Sequence, residues 1–244
     1  MSLYVGTSGW AYKEWKGGFY PDDLPQSRFL TYYGEHLTAC EVNATFYRLQ
    51  SDSTFEKWGA AVPEPFRFAT KAHRRITHRK DFALDPESAQ FMQRFLDSVT
   101  PLGRHLACVL FQFPPFVKRD DRALASVLAA LPPELRFACE FRHESWQSSE
   151  VEAAIAEAGG TVCIADTEGE APPELPPGRI AYVRLRHPKY SSKARKNWHE
   201  LLEREAAKRD VYAFAKHEGV PAGDPFGGVG LAQWLAASGS VRTG

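Results

Sequence analysis

The sequence has little of what would direct it to a membrane, a disulfide framework or a zinc knuckle. Its four cysteines lie far apart in the chain, so they predict core filling rather than metal binding. No apolar run approaches the ~18 residues of a membrane span, and the N-terminus lacks a secretory signal pattern. Formal net charge is +0, which gives no overall attraction to nucleic acid or membrane. We therefore expect a cytoplasmic protein with no membrane partner.

Length and composition predict a single domain covering residues 1–244. The 244 residues are close to the roughly 250 of a single eight-stranded β/α barrel. The 43% hydrophobic and 25% charged residues are ordinary for a globular protein. No GxGxxG follows the first apolar run, which counts against a dinucleotide-binding open sheet.

Eight short apolar runs, each ending in or directly followed by polar or charged residues, alternate with helical patterns. The runs are Leu3 to Gly6, Thr38 to Asn43, Phe66 to Lys71, Leu106 to Gln112, Arg136 to Phe141, Thr161 to Asp166, Ile180 to Arg186 and Val211 to Lys216. A parallel barrel gathers the carboxyl ends of its strands at one rim, where active sites lie. The pattern predicts an α/β fold of the TIM-type (β/α)8 barrel class with a polar rim.

Seven helices are predicted between or after the runs. They are Gln26 to His36, Ser53 to Ala61, Pro86 to Ser98, Asp121 to Leu131, Glu150 to Ala158, Lys193 to Lys208 and Gly230 to Ala237. Asp85 before Pro86 is a predicted helix cap, and Ser51 or Asp52 is another. Residues 167–178 are acidic and rich in proline, so the sixth helix is predicted to be missing or reduced.

Three predicted strands end in pairs of polar residues two positions apart, which share one face of a strand. The pairs are Glu41 with Asn43, Glu140 with Arg142, and Arg184 with Arg186. Their neighbours of opposite parity are apolar and suit the layer between strands and helices, so we expect the polar pairs to point into the barrel. A buried carboxylate needs a partner. Glu140 and Arg142 are therefore either a structural salt bridge or a catalytic pair.

The rim supplies candidates for both chemistry and binding. The candidate catalytic residues are Glu41, Glu140, His143 and Asp166, and the candidate substrate-binding residues are Trp10, Asn43, Tyr47, Lys71, Gln112, Arg142, Arg184, Arg186 and Lys216. Carboxylates and imidazoles suit general acid–base catalysis. Converging cations suit a phosphate or carboxylate, and aromatic faces suit sugars or bases.

Two further chemistries have weaker support in the sequence. Ser8 in GTSGW lacks the GxSxG elbow of serine hydrolases, and no base for it can be named from the sequence. A divalent metal stays open as a cofactor, although its ligand-type residues show no diagnostic spacing. Those residues are Glu140, His143, Asp166, His187, His217 and Glu218.

Two stretches without acidic residues, 65–80 and 179–199, add basic side chains near the same rim. Our leading hypothesis is an enzyme that acts on a small phosphorylated or otherwise anionic compound by hydrolysis, isomerisation or lyase chemistry. The first alternative is a nucleic-acid-binding or processing barrel that follows a phosphate backbone. The second is a metabolite-binding barrel without catalysis.

Long motifs in the sequence resemble those of the DUF72 (YecE-like) family over nearly its whole length. The motifs are GTSGWAYKEWKGGFYP, EVNATFYRL, FRFATKAHRRITH, LFQFPP, CEFRHESW and VYAFAKHEG. The resemblance implies an eight-stranded β/α barrel and brings no established reaction. It implies a polar pocket of Trp10, Glu41, Asn43, Tyr47, Lys71, Gln112, Glu140, Arg142 and His143. Lys216, His217 and Glu218 stand where many relatives carry paired asparagines.

Overall fold

The computed structural model describes residues 1–239, and residues 240–244 of the predicted domain lie outside them. The strands are β1 Leu3–Thr7, β2 Ala39–Val42, β3 Arg67–Lys71, β4 Leu106–Phe113, β5 Phe137–Phe141, β6 Gly160–Val162, β7 Ile164–Asp166, β8 Ile180–Leu185 and β9 Asp210–Ala215. The helices are α1 Phe29–His36, α2 Ala44–Tyr47, α3 Asp52–Ala60, α4 Arg74–Thr77, α5 Pro86–Val99, α6 Asp121–Ala129, α7 Ser149–Glu157, α8 Ser192–Ala206 and α9 Gly228–Gly239.

The strands are all parallel and follow the order β6-β5-β4-β3-β2-β1-β9-β8-β7. Only Cys163 separates β6 from β7, so the two segments are consecutive parts of the predicted sixth strand. The first bonds to β5 and the second to β8, and the backbone N–H of Cys163 donates to the Cys139 carbonyl at 2.8 Å. This strand closes the ring, and the TIM-type barrel prediction is confirmed.

Side chains of alternate parity divide into two apolar clusters. The smaller cluster fills the barrel interior and includes Ala39, Ala69, Leu110, Ala138, Ile180, Tyr182 and Phe214. Cys40, Val42, Cys139, Val183 and Leu185 belong to the larger cluster between strands and helices. Glu41, Glu140 and Arg184 have the parity of the interior residues, as predicted. The apolar filling of the barrel thus gives way to charged residues toward the strand ends.

The predicted helices all occur, with ends shifted by a few residues. The Asp85 side chain accepts the backbone N–H of Ser88, and the Ser51 hydroxyl accepts that of Thr54, so both predicted N-caps are present. Residues 167–179, which are all described, contain no helix between β7 and β8. The short helices α2 and α4 were not predicted, because four residues leave almost no periodicity to detect.

Within residues 1–239, no helix combines the length and the apolarity needed to cross a membrane.

The four cysteines are free and buried, and burial raises the pKa of the Cys40, Cys108, Cys139 and Cys163 thiols. Their position in the two apolar clusters agrees with the predicted role as small core residues.

Candidate functional site at the carboxyl mouth of the barrel

Arg184 joins two buried glutamates across the barrel interior. Its Nη2 donates to Glu41 Oε1 at 2.8 Å, and its Nη1 donates to Glu140 Oε2 at 2.5 Å. The Tyr182 hydroxyl donates to the other Glu41 oxygen at 2.8 Å. The side chains of Glu41 and Glu140 are 0% and 2% exposed, so each carboxylate needs these partners.

Glu140 also accepts a hydrogen bond from Nε of Arg142 at 2.9 Å. Burial by itself raises the pKa of Glu140, but Arg184 and Arg142 hold that pKa below its ordinary value. Burial by itself lowers the pKa of Arg184, but Glu41 and Glu140 hold it above its ordinary value. Glu140 and Arg184 therefore stay charged at neutral pH, and Arg184 links Glu41 and Glu140 into one buried triad.

Lys71 is a buried cation of the barrel interior. Its Nζ donates to Gln112 Oε1 at 2.6 Å and lies 4.2 Å from the centre of the Phe46 ring. Burial, together with the positive charge of Arg184, lowers the pKa of Lys71 to about 8. Near neutral pH Lys71 is thus a cation close to the point of losing its proton.

A cavity of about 380 Å³ opens above these residues. Eight of the candidate binding residues line it, namely Asn43, Tyr47, Lys71, Gln112, Arg142, Arg184, Arg186 and Lys216. Six other described residues complete the lining, and they are Ser8, Tyr12, Phe46, His78, His217 and Glu218. Most of the binding residues predicted for the rim therefore lie together around this cavity.

The cations of this mouth outnumber the carboxylates that neutralise them. Five lysines and arginines line the cavity, and within the described chain they face Glu41, Glu140 and Glu218. Lys216 lies 3.8 Å from Glu218, whose side chain is exposed. No side-chain hydrogen bond or ion pair to Arg186 is found among residues 1–239, and burial followed by the charge of Arg184 lowers its pKa. An excess of positive charge is thus directed at the cavity.

His78 lines the cavity but was not singled out from the sequence. It follows α4 in the acid-free stretch 65–80, and its ring packs edge-on against Phe46 at 4.7 Å. Burial, then Lys71 and Arg142, lowers the pKa of His78, so it is neutral near pH 7. The acid-free stretch was the available signal, but the sequence does not show which of its residues turns toward the mouth.

Three predicted site residues make other contacts. The indole of Trp10 packs edge-on against Trp58 at 5.1 Å, as part of the outer apolar layer. His143 Nδ1 accepts the backbone N–H of Ser145 at 3.1 Å and so caps a short 3-10 turn. These local contacts explain why neither residue lines the part of the cavity that the structure describes.

Asp166, the third of these residues, forms hydrogen bonds with the loop that stands in place of the sixth helix. Its Oδ1 accepts the backbone N–H groups of Glu168 and Gly169, both at 2.9 Å. Its Oδ2 accepts the indole N–H of Trp198 at 3.0 Å. Across residues 1–239, the ligand-type residues considered for a metal, Asp166 among them, form no cluster of three or more suited to holding an ion.

The fold and the mouth define a parallel β/α barrel protein with a cationic site at the carboxyl ends of its strands. The family model described as "Protein of unknown function DUF72" matches residues 4–225, so the chain belongs to the DUF72 family. A curated relative, UPF0759 protein YunF of Bacillus subtilis, is 32% identical over 152 residues, which are 60% of this chain and 52% of that protein. The chain thus matches about half the length of this relative.

Two solved structures are similar in fold. A DUF72 family protein from Thermotoga maritima superposes with a TM-score of 0.76 at 24% identity, covering 98% of this chain and 99% of that one. A DUF72 family protein from Enterococcus faecalis gives a TM-score of 0.70 at 18% identity, covering 97% of both chains. These matches support the barrel fold along nearly the whole chain.

Proposed function

We propose that this protein is an enzyme that acts on a small phosphorylated or otherwise anionic compound at the mouth of the barrel. The observation that carries the proposal is the set of five lysines and arginines around one cavity of about 380 Å³. Arg184 is neutralised by its two glutamates, whereas Arg186 and Lys216 are less compensated. Arginine gives an anion bidentate contacts, and a partly buried site strengthens them.

The buried glutamates then act through the arginines. Glu140 bonds to Arg142 and Arg184, and Glu41 bonds to Arg184, so each carboxylate orients a guanidinium that lines the cavity. Because its pKa is lowered, Glu140 stays ionised and is poorly suited to donate a proton. We assign Glu41 and Glu140 as positioning residues, and Arg142, Arg186, Lys71 and Lys216 as the groups that bind the anion.

The test is thermal unfolding with inorganic phosphate, pyrophosphate, sugar phosphates and nucleotides, each at several concentrations. A ligand at 100 times its dissociation constant adds about 2.7 kcal/mol to the free energy of unfolding. We expect one anion class to raise the melting temperature of the wild type, and Arg186→Gln to lose most of that rise. Arg122→Gln is the matched control, since Arg122 is exposed on α6. Equal shifts in both variants, or none in the wild type, would contradict the proposal.

A second cavity gives the nucleic-acid alternative a specific basis. It has a volume of about 780 Å³, contains Arg74, Arg75 and Arg79, and shares Phe46 and His78 with the mouth. Arg75 and Arg79 already pair with Glu87 and Asp85, which weakens their attraction for a phosphate backbone.

Salt dependence separates the candidate functions. Binding of a short oligonucleotide that falls steeply with salt concentration would favour the nucleic-acid alternative. Tight binding of a mononucleotide or sugar phosphate with a shallow salt slope would favour the small-molecule enzyme. Binding of such a compound with no turnover would indicate the metabolite-binding barrel.

A further inference from the structure

Ser8 and His217 meet at the mouth although they are far apart in the chain. Ser8 directly follows β1, His217 lies just beyond β9, and these two strands are paired in the barrel. Ser8 Oγ lies 3.2 Å from His217 Nδ1, and both residues line the cavity. A hydroxyl and an imidazole within hydrogen-bond distance form the core of a nucleophile–base pair.

Tyr12 fixes the positions of both groups. Its ring stacks on the His217 ring with centroids 4.0 Å apart and planes inclined by 15°. Its hydroxyl donates to the Ser8 carbonyl at 2.6 Å. One side chain therefore holds the imidazole face and the backbone of the serine, which keeps Ser8 and His217 beside each other.

The second ring nitrogen of His217 faces a carboxylate. His217 Nε2 lies 3.6 Å from Glu218 Oε1, which favours the tautomer with the proton on Nε2. Nδ1 is then free of a proton and can accept one from Ser8. Burial lowers the pKa of His217, helped by Lys216 and opposed by Glu218, Glu14 and Glu41, so the ring is neutral near pH 7.

The residues that surround Ser8 and His217 suit the binding of a phosphoryl group. Arg186 and Lys216 line the same cavity as Ser8 and can neutralise oxygens that gain charge during the reaction. We propose that Ser8 is a nucleophile, with His217 as its general base, and that the protein hydrolyses a small phosphate monoester through a phosphoserine at position 8. This inference rests on the proposed function, because it takes the substrate to be an anion bound in the mouth.

The proposed hydrolysis consists of two successive displacements at phosphorus. Ser8 Oγ forms a bond to phosphorus as the bond from phosphorus to the ester oxygen breaks. The Ser8 proton passes to His217 Nδ1 and then through solvent to the leaving oxygen, which departs as an alcohol. Water next attacks phosphorus, its proton passes to His217, and the bond from phosphorus to Oγ breaks. His217 returns that proton to Oγ, and inorganic phosphate leaves.

The experiment compares wild-type protein, Ser8→Ala and His217→Gln, with Ser53→Ala and His36→Gln as controls, since neither control residue lines the cavity. 4-Nitrophenyl phosphate is the substrate probe, and peptide mass spectrometry after acid quenching locates a phosphoserine. Thermal unfolding with inorganic phosphate reports anion binding separately. Labelling with an alkyl phosphonofluoridate tests whether the Ser8 hydroxyl is activated, whatever leaving group the natural substrate has.

We expect turnover and labelling of Ser8 in the wild type and both controls. Ser8→Ala should abolish labelling at this position and reduce turnover by at least about 100-fold, and His217→Gln should reduce both by about 100-fold or more. Both variants should keep a phosphate-induced rise in melting temperature. That rise shows that they are folded and that the anion still binds.

Three results would overturn the inference. Turnover by Ser8→Ala within threefold of the wild type would exclude the nucleophile and leave the proposed function standing. A phosphate-induced rise in melting temperature with neither turnover nor labelling of the wild type would also leave anion binding standing and remove the serine chemistry. Absence of any rise with phosphate or the other anions would instead remove the proposed function, and the inference with it.

Discussion

Arg184 on β8 and Glu41 on β2 form a 2.8 Å ion pair inside the barrel, across two intervening strands, β9 and β1. The same arginine bonds to Glu140 on β5, so one guanidinium holds two carboxylates that are almost completely buried. Removing the arginine leaves both charges without their main partner. The stability of the barrel should therefore respond far more strongly to this residue than to the cations above it.

We expect Arg184→Met to lower the free energy of unfolding by about 3 to 5 kcal/mol, the usual cost of an uncompensated buried charge. Arg142→Met is the matched control, because the Arg142 side chain is 39% exposed and Glu140 would keep Arg184. Its loss should be below about 1 kcal/mol. Urea unfolding measures both values. Adding Glu41→Gln and Glu140→Gln to Arg184→Met should restore part of the loss, and equal losses in the two single variants would contradict the prediction.

Lys71→Met should stabilise the protein at neutral pH by about 1 to 3 kcal/mol, because it removes a buried ammonium. The pKa of Lys71 is about 8 in the folded protein, against an ordinary 10.5. Between these values the unfolded chain binds more protons, so the stability of the wild type rises with pH relative to the variant. Urea unfolding at intervals from pH 7 to pH 10.5 should show the two curves converging. Curves that stay parallel would mean that Lys71 titrates normally.

Asp166→Asn should destabilise the protein by about 1 to 3 kcal/mol without changing anion binding. The amide oxygen can still accept the backbone N–H groups of the loop, but the amide nitrogen would face the indole N–H of Trp198, and two donors cannot bond. Urea unfolding and the phosphate-induced thermal shift test the two parts. A stable variant that binds no anion would assign Asp166 to the site instead of the loop.

Gly6→Ala should prevent folding or cost more than about 4 kcal/mol. A Cβ at Gly6 would lie 1.7 Å from the carbonyl oxygen of Ala39 on the neighbouring strand, which cannot move without breaking the barrel. Gly223→Ala is the control, since a Cβ there meets no atom of the described chain within 4 Å. Circular dichroism during heating compares the variants. A folded Gly6→Ala protein would show that β1 and β2 can separate locally.

The sequence predicted the barrel and the strands that form the site, because parity and strand ends are local properties. Glu41, Glu140 and Arg184 were correctly expected to point inward on that basis. The pairing of Glu140 with Arg142 on the same strand could be anticipated. The pairing of Arg184 with Glu41 could not, since it spans 143 positions and the sequence contains no lateral distances. For the same reason no base could be named for Ser8, whose contact with His217 spans 209 positions.

Some of the predicted site residues do not line the mouth, and the physical reason is a different one. His143 and Asp166 are polar residues near strand ends, as catalytic groups often are, but both bond to backbone N–H groups in their own loops. Strand ends need such caps as much as they need catalytic groups. A single sequence does not separate the two uses.

The division of the sixth strand at Cys163 determines where partial unfolding of the barrel should begin. The segments β6 and β7 have three residues each, and the residues after them form a loop where other strands are followed by a helix. Amide hydrogen exchange should therefore be fastest here among the strands. Once this stretch detaches, the ring becomes an open sheet with unpaired edges at β5 and β8. Such edges pair readily between molecules, so we expect aggregation on heating to start at this seam.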